Sequence, residues 1–152
     1  RGPAPLFWQL RDGVRNPGGT VHHVTAEIDA GDIVTQKRVY LPEGTSAQES
    51  DRLLAHTAAA TVINILDTAD FSCKPQMGAG SYQSWPTEED WHIPTDWTVQ
   101  RAFNFMRGTD EWQHPFTLLT QPKMLVVRHA TNYVLGPSNQ GSAQPTQIGW
   151  RV

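Results

Sequence analysis

Residues 20–25 and 33–40 are runs rich in β-branched side chains, and the loop between them carries Glu27, Asp29 and Asp32. Such runs read as strands. A turn at Pro42-Glu43-Gly44-Thr45 follows. Ser46-Ala47-Gln48-Glu49 then has the form of a capping box, in which the serine hydroxyl accepts from the Glu49 N–H and the glutamate reaches back. From there a helix is predicted to about Leu66, with Leu54, Ala58, Thr61, Ile65 and Leu66 along one stripe. Two strands followed by a long amphipathic helix leave few solutions. The helix must lay its stripe on a sheet, so this part of the chain is an α/β layer. A shorter helix is predicted ahead of it over residues 3–11, with Leu6, Phe7 and Leu10 on one face and Gly13 as its stop.

The periodicity lapses over residues 71–94, from Cys73-Lys74-Pro75 to Trp85-Pro86 and the acidic Glu88-Glu89-Asp90. So long an unpatterned run is uncommon inside a compact domain, which marks it as a linker. Thr95 or Asp96 then caps a second helix, with Val99, Ala102, Phe103 and Met106 at i, i+3, i+4 and i+7 and Gly108 as its end. Residues 116–119, 124–127, 133–135 and 147–152 are short strand patterns joined by polar turns, the spacing of a small barrel or sandwich. Three units are therefore expected: 1–70, 71–94 as linker, and 95–152. The last is expected to be incomplete, since the chain stops at Val152 within a strand pattern.

Composition excludes several functions. Twelve glycines and 11 prolines punctuate a helical bundle out of consideration, while six tryptophans and 38% hydrophobic residues are too apolar for a disordered tail. Twelve basic residues against 15 acidic ones give a net charge of −3, distributed as −3, −2 and +2 over the three units. A dedicated DNA-binding module needs a basic excess for its phosphate contacts. The single cysteine, Cys73, excludes a disulfide scaffold and a Cys-rich zinc module. No run of 18 apolar residues offers a membrane span. The first residue is Arg1, not Met, so the chain is expected to be cut from a longer protein.

Few side chains are placed for chemistry. His22 and His23 are neighbours on a strand and point to opposite faces, so they cannot share a metal ion, and no metal site is expected. Cys73 has no adjacent base to make it a nucleophile. Gly78-Ala79-Gly80 lacks the third glycine and the flanking strand and helix of a nucleotide fingerprint. The segment from Thr25 to Ile33 is different. A plain hairpin turn would be shorter and would favour Asn-Gly or Asp-Gly, and a carboxylate between two strand ends can sit where α/β enzymes bind ligands. On these residues alone, Asp29 and Asp32 are either site residues or turn formers.

Arg1-Gly2-Pro3-Ala4-Pro5, Gly19-Thr20-Val21-His22 and Ile28-Asp29-Ala30-Gly31-Asp32-Ile33 resemble the folate-dependent formyltransferase family, and their mutual spacing agrees with it. Arg101-Ala102-Phe103-Asn104 and the strands after it are loosely similar to the start of the C-terminal domain of the family's methionyl-tRNA branch. The resemblance implies the C-terminal half of a Rossmann-like catalytic domain over residues 1–70. After the linker it implies the start of an OB-like β-barrel over residues 95–152. Family enzymes move a formyl group from 10-formyltetrahydrofolate to a primary amine, through a tetrahedral intermediate whose oxyanion must be stabilised. Asp29 matches the family's catalytic aspartate, which assists proton transfer and orients a histidine. His22 matches a supporting histidine of some members. Ala26, Glu27, Ile28 and Gly31 match the segment whose backbone contacts the pterin.

The resemblance implies further limits. The family's Asn-x-His-x-Ser-Leu-Leu-Pro motif would lie just before Arg1, so the chain holds one of three catalytic residues and is expected to be inactive alone. His23 stands where an aromatic or aliphatic residue is more usual, and Ala26 where an acid is common. The implied acceptor is the amino group of methionyl-tRNA, with initiator tRNA as partner and the folate as a small-molecule donor, in the cytoplasm, with neither DNA nor membrane as partner. A sugar-nucleotide N-formyltransferase and a non-catalytic folate-binding module are the alternatives.

Overall fold

The computed structural model describes residues 2–78, 80–120 and 123–133. The element order begins with helix α1 (Pro5–Arg11), strands β1 (Gly18–His22) and β2 (Ile33–Arg38), and helix α2 (Ala47–Thr68). It continues with strand β3 (His92–Ile93), helix α3 (Val99–Gly108) and strands β4 (Phe116–Thr120) and β5 (Lys123–Val127). The predicted strand patterns at 133–135 and 147–152 fall, Tyr133 apart, outside the described residues.

β1 and β2 form an antiparallel pair whose register slips between Val21 and His22, setting His22 opposite Ile33. The slip ends the ladder three residues short of the predicted strand end and frees residues 23–32 to form the acidic loop. α2 lies against this pair, and its N-terminus is capped by half of the predicted box. Ser46 Oγ accepts from the Glu49 N–H at 3.2 Å. The Glu49 carboxylate turns away and takes both donors of Arg52, each at 2.7 Å, because a bidentate guanidinium is the stronger partner. The predicted stripe of α2 is only partly covered: Ile65 is buried, whereas Leu66 faces solvent.

The core draws on both ends of the chain. Ala4, Phe7, Leu10, Val39 and Leu41 pack with Trp91, Ile93, Trp97, Ala102, Phe105, Met106, Phe116, Leu118 and Ala130. α1 supplies Phe7, whose ring meets those of Trp91 and Phe105 edge-on at 5.0 and 5.2 Å, an arrangement favoured by the ring quadrupoles. α1 and α3 touch closely at Gly108, where an added Cβ would stand 2.5 Å from Leu10 Cδ1. α3 is capped by Thr98, not by Thr95 or Asp96, its hydroxyl accepting from the Arg101 N–H. The buried face of α3 is Ala102, Phe105 and Met106, leaving Phe103 half-buried beside Tyr133.

Residues 88–93, within the stretch predicted as linker, are ordered. Thr87 and Asp90 form a capping box around a 3₁₀ turn (Glu88–Trp91), Trp91 is buried, and β3 pairs in parallel with β4. β4 pairs antiparallel with β5, giving a mixed three-stranded sheet. The described residues thus form a small α/β unit with two sheets; three strands do not make a barrel.

Candidate functional site

The acidic loop is built from the strand ends outward. The His23 N–H donates to the Asp32 carbonyl at 3.0 Å and closes the loop's neck. Gly31 is buried against that neck, where an added Cβ would lie 1.7 Å from the His23 carbonyl oxygen. No other residue fits there without moving the chain. Thr25 Oγ1 donates to the Glu27 carbonyl at 2.8 Å and tightens the first turn. Asp29 sits at φ +56°, a left-handed conformation that aspartate tolerates better than most side chains.

That conformation turns the Asp29 carboxylate back towards β1. Its Oδ1 lies 3.8 Å from Nε2 of His22, whose ring is half-buried. The other ring nitrogen, Nδ1, is 2.9 Å from the His23 carbonyl, which has no proton to give, so Nδ1 carries the proton and donates. Nε2 therefore faces the carboxylate. At 3.8 Å the two are too far apart for a direct hydrogen bond and close enough to attract when the imidazole is charged. The two residues predicted for catalysis thus come together, and an exposed carboxylate beside a pinned imidazole can exchange a proton with a reacting group.

Of the predicted cofactor residues, Gly31 is buried in the loop's neck and the other three lie on its outer edge. Ala26, Glu27 and Ile28 are exposed, and Ile28 at 89% offers an apolar side chain with no protein neighbour to cover it. The backbone N–H groups of Ala26, Glu27 and Ile28 make no hydrogen bond among the described residues.

Two residues from 71–94 join the site that nothing local in the sequence marked. Lys74 exchanges two backbone hydrogen bonds with Ile33, at 2.8 and 2.9 Å, extending the sheet across the loop's base. Gln76 Nε2 donates to the carbonyls of both Asp29 and Gly31 at 2.7 Å. Cys73 Sγ lies 3.7 Å from Asp32 Oδ2. Its thiol is pushed up, first by desolvation beside the loop and then by the Asp32 charge.

At the other end of the β1–β2 pair, roughly 13 Å along the strand at 3.3 Å per residue, an open cleft of about 500 Å³ is lined by Gln9, Arg15, Asn16, Gln36, Lys37 and Arg38 among others. It has no carboxylate in its wall. Lys37 and Arg38 form no ion pair among the described residues.

The chain is similar to known formyltransferases in sequence and in fold. Its homologues are methionyl-tRNA formyltransferases. That of Thermodesulfovibrio yellowstonii is 25% identical over 131 residues, 84% of this chain and 42% of that protein. That of Pelotomaculum thermopropionicum is 30% identical over 115 residues, 74% of this chain and 37% of that protein. The chain spans about two fifths of the length of these curated relatives. No protein-family profile matches it.

Solved structures share the fold. Methionyl-tRNA formyltransferase from Clostridium thermocellum superposes with a TM-score of 0.58 at 17% identity, covering 83% of this chain and 61% of that one. A 4-N formyltransferase from Francisella tularensis gives 0.58 at 19%, covering 88% and 58%. HypX from Aquifex aeolicus in complex with tetrahydrofolic acid gives 0.56 at 18%, covering 82% and 22%.

Proposed function

We propose that this chain contributes to a formyltransferase that carries the formyl group of 10-formyltetrahydrofolate to a primary amine, with methionyl-tRNA as acceptor. The observation that carries the proposal is Asp29, set in a left-handed turn with its carboxylate facing His22. The donor supplies an activated formyl carbon; the acceptor nitrogen forms the new C–N bond, the bond to the folate nitrogen breaks, and one proton passes from the amine to that nitrogen. Asp29 is the group that takes and returns this proton, and His22 faces its carboxylate. The exposed segment Ala26, Glu27 and Ile28 receives the pterin edge through its free backbone donors, and Gly31 closes the neck behind it. No residue described here supplies the oxyanion donors, which the family resemblance assigns to an Asn and a His outside this chain.

The homologues' names favour tRNA as acceptor. The basic cleft by Arg15, Lys37 and Arg38 favours an acceptor with phosphates. Residues 1–70 then belong to the catalytic domain and 95–152 open an OB-like unit offering RNA a further surface, the two sharing a core into which Trp91 and Ile93 are packed. A cytoplasmic setting accords with the folate donor and the lone cysteine. Sugar-nucleotide amines also carry phosphates, and a sugar-type 4-N formyltransferase shares the fold, which makes them the second acceptor class to assay.

The test uses the full-length gene product with radiolabelled formyl donor, methionyl-tRNA and a panel of sugar-nucleotide amines. Transfer to methionyl-tRNA is expected. Asp29→Ala should reduce kcat by on the order of 100-fold or more while shifting stability by only about 0.5 kcal/mol, since the side chain is 83% exposed. Transfer confined to a sugar amine would reassign the acceptor. Donor binding without turnover on any amine would favour a folate-binding module.

A further inference from the structure

We propose that Gln76 is a positioning residue for the Asp29 loop: its amide holds the carbonyls on either side of Ala30 and so fixes the turn that presents Asp29 to His22. Asp29 must be the catalytic carboxylate for this role to matter to turnover.

The loop needs an external tie. Asp29 is a non-glycine residue at φ +56°, and such a conformation persists only where the surroundings over-determine it. From inside the loop come only the Thr25 hydroxyl, which acts two residues upstream at Glu27, and the neck bond from His23 to Asp32. Neither touches Asp29 or Ala30. Gln76 does the remaining work from 47 residues away in sequence, donating at 2.7 Å to Asp29 and at 2.7 Å to Gly31. The amide nitrogen has two N–H bonds, and each carbonyl can only accept, so the pairing uses both donors and fixes the amide's orientation. Lys74, two residues earlier, is anchored to Ile33 by a reciprocal backbone pair, which holds Gln76 over the loop.

The chemistry distinguishes a donor from a filler. Glutamate has almost the same shape as glutamine but, ionised, offers no proton to a carbonyl. A packing role survives Gln76→Glu, and a donating role does not. Gln76 is itself exposed, so its loss removes little buried surface.

The experiment compares Gln76→Ala, Gln76→Glu and Asp29→Ala in the full-length gene product. It measures kcat and KM for formyl transfer and backbone hydrogen exchange over peptides spanning residues 23–33. Both Gln76 variants should lose on the order of tenfold to 100-fold in kcat, as misplaced catalytic groups do, with a smaller change in KM. Exchange should rise at the His23 and Ile33 amides, the hydrogen-bonded ones at the loop's neck and base, and stay unchanged over α3. Normal kcat in Gln76→Glu, or unchanged loop exchange in Gln76→Ala, overturns the role. If Asp29→Ala is dead while Gln76→Ala turns over normally, only the Gln76 role falls. If Asp29→Ala itself turns over normally, the assignment of Asp29 falls and the positioning role falls with it.

Discussion

Cys73 reports on the charge of the acidic loop. Its sulfur lies 3.7 Å from Asp32, and desolvation together with that carboxylate raises the thiol above its ordinary value. The thiolate is the reactive form, so near pH 8 the residue should alkylate more slowly than its exposed position suggests. Iodoacetamide labelling followed by mass spectrometry should show a faster rate in Asp32→Asn and in the urea-unfolded chain. Equal rates in wild type and Asp32→Asn would mean that the carboxylate does not act on the sulfur. The same loop shows what single residues reveal beforehand. Asp29 stands out because three acids between two strand patterns are too many for a plain turn, whereas His22 is marked only by the family resemblance. Gln76 leaves no such trace, since a side-chain bond to a distant carbonyl imposes no local period.

At the scale of elements, α3 joins the two halves of the chain through a polar face that its apolar pattern conceals. Asn104 Oδ1 accepts from the Gly44 N–H at 2.8 Å, Arg107 Nε donates to the Gly44 carbonyl at 3.3 Å, and Gln100 donates to the Glu43 carboxylate. Asp110, just beyond the helix, accepts from the Ala47 N–H at 3.2 Å. Hydrogen bonds from Tyr133 and then Gln100 hold the Glu43 carboxyl below its usual range; Arg52 does the same for Glu49 and Ser72 for Asp70. A carboxyl depressed in the folded state stabilises the fold above its unfolded pKa, and this contribution disappears as pH falls through the folded value. The melting temperature should therefore drop as the pH is lowered below about 4, and Glu43→Gln should flatten that acid limb. An unaltered limb in the variant would remove Glu43 from the pH response. The heptad-like spacing of Val99, Ala102, Phe103 and Met106 found the helix but placed its buried face slightly wrong. Phe105, not Phe103, points inward because α1 and Trp91 approach from that side.

At the scale of the whole molecule, the stretch 71–94 divides the sequence but not the core. Its last residues fold as a 3₁₀ turn and a two-residue strand, elements too short for any periodicity to register, and the apolar signal there rests on Trp91 and Ile93 alone. Without those two, α1 would lose the ring contact of Phe7 with Trp91 and β4 its parallel neighbour. Phe105 sits where the contributions meet: it is fully buried, with Phe7 from the first helix, Trp91 from the 3₁₀ turn, Trp97 and Phe116 around it. Phe105→Ala should cost about 3–5 kcal/mol. A shared core also predicts how the loss appears. Trp91 and Trp97 place buried tryptophan fluorescence at this centre, whereas far-UV circular dichroism is dominated by the 22-residue α2, which touches it through Leu53 and Leu54. If one core holds both, the two signals should fall at the same denaturant concentration in wild type, and both midpoints should move down together in Phe105→Ala. A helical signal that kept its midpoint while fluorescence shifted would show that α2 and the β1–β2 pair form a separate unit. That unit would end near residue 70 but leave out α1, whose Phe7 packs on Phe105.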